Sequence, residues 1–120
     1  MRPEDVVRIR HMIEAAETAR QFVAGRQRSD LDRDRMLLFA LVRAVEIIGE
    51  AAAKLAPETR ASAPSVPWSA IVAMRNRLIH AYFDLDPDIL WNTITQELPP
   101  LIAELRTLLE SRDAHGNEQS

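Results

Sequence analysis

One segment of the chain constrains the fold more than any other, because residues 30–55 carry a wide apolar stripe at helical spacing. Apolar residues recur there every three or four positions, and others widen the stripe on one side. The stripe comprises Leu37, Leu41, Ala44, Ile48, Ala52 and Leu55, with Leu38, Val42 and Val45 beside it. A stripe this wide buries against more than one neighbour. It predicts a long central helix, with Ser29 and Asp30 as capping residues at its start.

Two more segments show the same 3.6-residue periodicity. We predict a first helix over residues 4–24, stopped by Gly25. Residues 57–67 hold three prolines and several small polar residues, and they read as the longest loop. Pro67 is suited to the first position of a helix, where a missing N–H costs nothing. We therefore predict a further helix over residues 68–82.

The last helix carries two features of its own. Asp86 followed by Pro87 is typical of a helix start. Pro99 and Pro100 fall inside the periodic segment and predict a kink near residues 97–98. Four amphipathic helices joined mostly by short connections predict an all-α, antiparallel four-helix bundle with a proline-kinked C-terminal helix. We place the domain at residues 1–112 and a flexible tail at residues 113–120.

Composition excludes several functional classes. The chain has no cysteine, which rules out disulfides, thiolate metal sites and cysteine nucleophiles. The longest uncharged apolar run, residues 36–42, is too short to span a bilayer. The N-terminus does not resemble a signal peptide, so we expect a cytoplasmic protein. A net charge of −3 gives no overall attraction to nucleic acid. Any such binding must use a local cluster.

Such a cluster occurs in residues 74–86, MRNRLIHAYFDLD. On a helical wheel, Asn76 and His80 lie in a polar arc, whereas Arg75 and Tyr82 lie two turns apart at the edge of the apolar stripe. These residues could be an ordinary solvated surface, with Asn76 and His80 merely hydrogen-bonded four positions apart. They also suit RNA cleavage, because histidine transfers protons near neutral pH and arginine binds phosphate through a fixed fork of donors. This chemistry requires no metal ion and no cofactor.

The same residues resemble a known family. Arg75, four intervening residues, His80, one residue and Tyr82 match the R-x4-H-x-Y motif of HepT-type toxins in the HEPN (higher eukaryotes and prokaryotes nucleotide-binding) superfamily. The segments ALVRAVEIIGEAAAKL, from Ala40 to Leu55, and WNTITQELPPLIAEL, from Trp91 to Leu105, are also similar to that family. Three collinear blocks at family spacing do not arise by chance.

The resemblance implies a type II toxin–antitoxin system. It implies a metal-independent ribonuclease that forms a homodimer, in which two R-x4-H motifs share one cleft. Arg75 would stabilise the phosphate and the transition state, His80 would act as general acid or base, and Asn76 would support them. The implied partner is a minimal nucleotidyltransferase antitoxin, which silences the toxin by attaching AMP to Tyr82. AMP would place bulk and negative charge beside Arg75 and so repel RNA.

Other interpretations stay open. A non-catalytic HEPN module would bind only a nucleotidyltransferase partner or a nucleotide, and a plain helical scaffold would have no site at all. Glu46 and Glu50 are spaced four apart like a metal site, but Arg43 and Lys54 offer them ordinary helix ion pairs. We expect Trp68 and Trp91 to pack in the core or in a dimer interface rather than to stack on RNA bases. The RNA substrate and the role of the two glutamates cannot be read from the sequence.

Overall fold

The computed structural model describes the backbone of residues 1–80 and 86–118 and the side chains of residues 1–78 and 86–111. All regular structure in these ranges is helical, which confirms the predicted all-α class. The elements are α1 (Pro3–Val23), α2 (Asp30–Arg33), α3 (Arg35–Lys54), α4 (Pro57–Ala61), α5 (Trp68–His80), α6 (Pro87–Asn92), a π-helix (Thr93–Glu97) and α7 (Leu98–Glu118).

Helix α3 is the centre of the bundle, as its wide apolar stripe predicts. It packs against α1 on one side and α5 on the other, while α7 packs along α1. Large side chains from these helices are fully buried in one continuous core: Ile9, Met12, Leu41, Leu78, Leu90, Ile94 and Leu105.

The predicted central helix is interrupted, and its predicted start was wrong. Residues 30–33 form the separate short helix α2, and the chain then turns at Asp34, whose backbone is extended at φ −114° and ψ 94°. The carboxylate of Asp34 accepts a hydrogen bond from the backbone N–H of Leu37 at 3.1 Å and so caps α3. Ser29 makes no side-chain cap bond at the start of α2. The predicted stop of α1 at Gly25 is confirmed by a positive φ of 73°.

The predicted long loop contains a helix, which corrects our interpretation of residues 57–67. Pro57 occupies the first turn of α4, where its missing N–H is harmless. Asp5 of α1 ties this segment down, because its buried carboxylate accepts hydrogen bonds from the Ala56 N–H at 3.2 Å and the Thr59 hydroxyl at 2.7 Å. The connection between α3 and α5 is therefore ordered by a contact from the N-terminus.

The predicted kink near residues 97–98 is a π-helix. Pro99 and Pro100 have no N–H, so the carbonyl of Thr95 has no backbone donor four or five residues ahead. The Nη1 of Arg20 on α1 donates to that carbonyl at 3.4 Å. Arg106 of α7 pairs with Glu17 on the same side of α1. These contacts attach the bent C-terminal segment to α1.

Asp86 caps α6 as predicted, its carboxylate accepting a hydrogen bond from the backbone N–H of Asp88 at 2.8 Å. At the other end, α7 continues to Glu118, six residues past the boundary that we predict between domain and tail. That boundary stays a prediction. Within the described part of the chain, no helix is long and apolar enough to cross a membrane.

Candidate RNA-binding site on helix α5

The start of α5 is anchored by Trp68. Its side chain is buried, and its indole Nε1 donates to the carbonyls of Arg60 and Ala63, both at 3.0 Å. Burial of the ring together with satisfaction of its N–H fixes the indole firmly. This confirms the core-packing interpretation of Trp68. The same contacts hold the first residue of α5 next to α4.

The apolar stripe of α5 faces the core. Leu78 is fully buried, and Ile71, Val72 and Met74 pack against the core from partly buried positions. Arg75 is half-buried and Asn76 is exposed. The predicted place of Arg75 at the edge of the apolar stripe is therefore confirmed.

Arg75 meets α3 at Gly49, a contact that sequence reasoning missed. A Cβ atom added to Gly49 would lie 2.1 Å from the Cβ and 2.7 Å from the Cγ of Arg75, and 3.3 Å from the carbonyl oxygen of Ile71. The two helices thus approach more closely here than a side chain at position 49 would allow. The sequence holds only a partial signal, because a glycine inside an otherwise strong helix lowers helix stability but does not show which residue packs against it.

The guanidinium of Arg75 is only partly bonded. Its Nη1 donates to Oδ1 of Asn76 at 2.9 Å. Its Nε is buried and has no hydrogen-bond partner in the described part of the chain. A buried donor without a partner is costly, so native structures rarely keep one without a reason. A guanidinium with an unused donor is chemically suited to bind an anion.

Comparison with known proteins identifies the family. Residues 12–108 match the family described as ribonuclease HepT-like. A Caldanaerobacter subterraneus protein named as a candidate RNase is 37% identical over 85% of this chain and 91% of its own length. A Thermococcus cleftensis protein named as a probable ribonuclease HepT is 36% identical over 79% of this chain and 86% of its own length. This chain belongs to the HepT-like family of the HEPN superfamily.

A third relative widens the range of source organisms. A Methanocaldococcus jannaschii protein named as a candidate RNase is 33% identical over 78% of this HepT-like chain and 86% of its own length. No solved structure gives a significant match to the chain. The resemblance predicted from the motif of α5 is confirmed at the level of the family.

The remaining motif residues lie at the edge of the described region. The backbone of His80 is the last part of α5 that the structure describes, five positions after Arg75, and the side chain of His80 lies outside the described residues. Tyr82 lies outside them entirely. The roles of Arg75, Asn76, His80 and Tyr82 in this HepT-like protein therefore remain predictions.

Two further charged features have a defined place in the structure. Arg77 is exposed and lines a groove of about 250 Å³ between α5 and the C-terminal segment, with Thr93 and Glu97. On α3, Arg43 lies 3.4 Å from the carboxylate of Glu46 and 3.9 Å from that of Glu50. Within the described residues, no group of three or more histidine or carboxylate side chains is placed to hold a metal ion.

Proposed function

We propose that this HepT-like protein is a metal-independent endoribonuclease that uses Arg75 and His80. The observation that carries the proposal is the guanidinium of Arg75, which is half-buried and bonded to Asn76 at 2.9 Å, with its Nε lacking a partner in the described region. Such a group is already oriented and pays little to bind a phosphate. The family and the names of its relatives support RNA as the ligand.

The proposed reaction is an internal transfer at phosphorus. The ribose 2′-oxygen attacks the adjacent phosphorus and loses its proton, and the bond from phosphorus to the 5′-oxygen breaks as that oxygen gains a proton. His80 transfers a proton, since the ordinary pKa of histidine lies near neutrality. Arg75 stabilises the charge that grows on the phosphoryl oxygens. The products are a 2′,3′-cyclic phosphate and a 5′-hydroxyl.

The test is cleavage of a labelled RNA by the purified protein in excess EDTA. We expect cleavage to persist and to leave 2′,3′-cyclic phosphate or 3′-phosphate ends. The rate should fall as salt rises, because phosphate contacts release counterions on binding. Loss of activity on chelation together with 3′-hydroxyl ends would instead indicate hydrolysis by a bound metal. Binding of RNA without cleavage would favour the non-catalytic HEPN module.

We further propose that the active form is a homodimer in which each cleft takes Arg75 from one copy and His80 from the other. Five residues in a helix span about 7.5 Å along the axis and about 140° around it. Within one chain the two residues therefore lie on different sides of α5. Across a two-fold axis, the Arg75 of one copy can oppose the His80 of the second.

Mixing two inactive variants tests this arrangement. Arg75→Ala and His80→Ala chains, unfolded and refolded together, should recover about a quarter of wild-type activity, because half of the dimers are mixed and each retains one complete cleft. No recovery would place both residues of each site in one chain. Light scattering should give twice the 13.6 kDa chain mass or a multiple of it. A monomer at micromolar concentration would contradict the shared cleft.

The biological role that we propose is that of a toxin controlled by a nucleotidyltransferase, which attaches AMP to Tyr82. Tyr82 is the single tyrosine of the chain, so the modified peptide is unambiguous. Co-expression with the nucleotidyltransferase should raise the mass by about 329 Da per AMP group. Tyr82→Phe keeps the ring and loses the acceptor hydroxyl, so it should escape silencing and arrest growth. AMP on a serine or threonine would overturn the regulatory proposal and leave the nuclease proposal standing.

A further inference from the structure

The contact between α3 and α5 at Gly49 has a consequence for Arg75. Cβ atoms in real structures essentially never come within 3.0 Å of another heavy atom, and a Cβ at position 49 would violate that limit against both the Cβ and the Cγ of Arg75. Those atoms are not the flexible end of the side chain. The Cβ is fixed to the backbone of α5 and the Cγ is one bond beyond it, so α5 itself would have to move.

Glycine is also a poor choice for the middle of a helix on local grounds alone. It lowers helix stability relative to alanine, because it loses more backbone entropy on folding. Gly49 nevertheless lies inside α3. The core residue Ile48 precedes it, and alanines, which are strong helix formers, follow at positions 51–53. The close approach of α5 that the missing side chain allows offsets this loss of helix stability.

The missing side chain leaves a space on α3 that holds the Cβ and Cγ atoms of Arg75. We call this space the seat of Arg75. The first two carbons of the side chain lie against the backbone of α3 at Gly49, and the Nε beyond them is buried. The Nη1 at the tip is held by Asn76. One end of the guanidinium is thus set by the helix contact and the other by a hydrogen bond, which leaves few rotamers open to the side chain.

We propose that Gly49 is the positioning residue of the site, because its missing side chain forms the seat that sets the orientation of Arg75 toward a phosphate. The proposal rests on the proposed ribonuclease function for its purpose, but the contact can be tested without it. Catalysis is sensitive to placement, since a displacement of about 1 Å can cost about a hundredfold in rate.

The first test measures stability in two backgrounds. In the wild-type chain, Gly49→Ala should lower Tm, because the new methyl group meets the Cβ of Arg75. In an Arg75→Gly background that Cβ is gone and only the 3.3 Å approach to the Ile71 carbonyl oxygen remains, so the same substitution should lower Tm much less, or raise it through the better helix propensity of alanine. The difference between the two backgrounds identifies the contact even if the single Gly49→Ala variant does not fold. An equal decrease in both backgrounds would overturn the proposal.

The second test follows the Nε–Hε signal of Arg75 by NMR, assigned through its loss in Arg75→Lys. Gly49→Ala should shift this signal. The control is Leu37→Ala, which removes a buried side chain from the same helix and destabilises the fold about 18 Å along the helix axis from Gly49. The control should leave the signal in place. An unchanged signal in Gly49→Ala, or an equal shift in the control, would contradict the proposal.

The third test measures RNA cleavage per folded molecule. Gly49→Ala should lower kcat by about tenfold or more with a smaller change in KM, while Leu37→Ala should retain the wild-type kcat. Equal losses of kcat in the two variants would show that Gly49 affects only the stability of the fold. If the wild-type protein does not cleave RNA, the ribonuclease proposal fails, and the first two tests still decide the role of Gly49.

Discussion

The carboxylate of Asp5 and the guanidinium of Arg75 both lie against the core, but they differ in their hydrogen bonds. Asp5 is fully buried and accepts bonds from the Arg8 guanidinium at 3.1 Å, the Ala56 N–H at 3.2 Å and the Thr59 hydroxyl at 2.7 Å. Arg75 donates to Asn76, and its buried Nε has no partner in the described region.

We interpret this difference as one between a structural group and the group that we propose to bind RNA. A buried charge whose bonds are all made within the protein stabilises the fold and is not free to bind a ligand. A buried donor left unpaired costs about 1–3 kcal/mol, so a fold that retains one calls for an explanation, of which a bound ligand is the one that we propose. We therefore expect substitutions at Asp5 to change stability and substitutions near Arg75 to change activity.

The largest effect is expected at the proposed proton-transfer residue on α5. His80→Ala should slow RNA cleavage by about 10²–10⁴-fold, the range typical of general acid–base catalysis. The measurement is the initial rate on a labelled RNA, with circular dichroism to confirm the helical fold. His11→Ala is the matched control, since His11 is exposed on α1. Wild-type cleavage by His80→Ala would remove this residue from the site.

Among the substitutions of charged side chains, Asp5→Ala should produce the largest loss of stability. It leaves the Ala56 N–H and the Thr59 hydroxyl without their acceptor, and we expect the free energy of unfolding to fall by about 2 kcal/mol. Glu4→Ala is the control, because Glu4 is exposed in the same first turn. Urea denaturation measures both. Cleavage per folded molecule should not change. An Asp5→Ala protein that is as stable as the wild type but has lost activity would contradict the assignment of Asp5 as a structural group.

The same carboxylate gives the fold a dependence on pH. Burial raises the pKa of Asp5, but the hydrogen bonds from Thr59, Ala56 and Arg8 outweigh it and hold that pKa below the usual value for aspartate. The contribution to stability is therefore complete above the unfolded pKa of about 3.9 and is lost as pH falls through the lower folded value. Asp5→Asn should show a smaller loss of stability between about pH 4 and pH 2 than the wild type. An identical acid limb in both proteins would show that Asp5 does not contribute.

The smallest effect is expected at a carboxylate that is bonded but partly exposed. Asp34 caps α3 through the Leu37 N–H, and its bond to that N–H, together with the charge of Arg26, lowers its pKa despite some desolvation. Asp34→Ala should lower Tm slightly, by less than Asp5→Ala does, because water can replace the lost bond. Ser29→Ala should leave Tm unchanged, since Ser29 makes no cap bond. A larger decrease in Tm for Ser29→Ala than for Asp34→Ala would instead support Ser29 as the capping residue, as the sequence predicted.

The sequence predicts the fold well where one strong local signal acts alone. Periodicity located α1 and the core of α3, and Asp86 with Pro87 located the start of α6. Near α2 the signals compete, because Asp30, Asp32 and Asp34 can all cap a helix. The choice of Asp34 depends on partners outside the segment, including the Arg26 guanidinium at 3.2 Å from its carboxylate. Local propensity cannot make that choice.

The candidate site was only partly predictable for the same reason. A helical wheel placed Arg75 at the edge of the apolar stripe, because that position depends on spacing within one helix. The seat at Gly49 depends on how closely two helices approach, which no single-helix pattern contains. The buried bonds of Asp5 likewise join residues more than fifty positions apart. Nothing in the sequence distinguished Asp5 from the exposed acidic residue beside it.

The most direct test of the central claim is the activity and stability of Arg75→Ala, measured beside Arg77→Ala. Arg77 lies two residues away on the same helix and is exposed on the groove toward the C-terminal segment. We expect Arg75→Ala to lose about a hundredfold or more in kcat/KM with little change in Tm, and Arg77→Ala to lose at most a few fold. If Arg75→Ala instead lowers Tm as strongly as Asp5→Ala does and cleaves RNA at the wild-type rate per folded molecule, the partly bonded guanidinium is a structural group, and the account is contradicted.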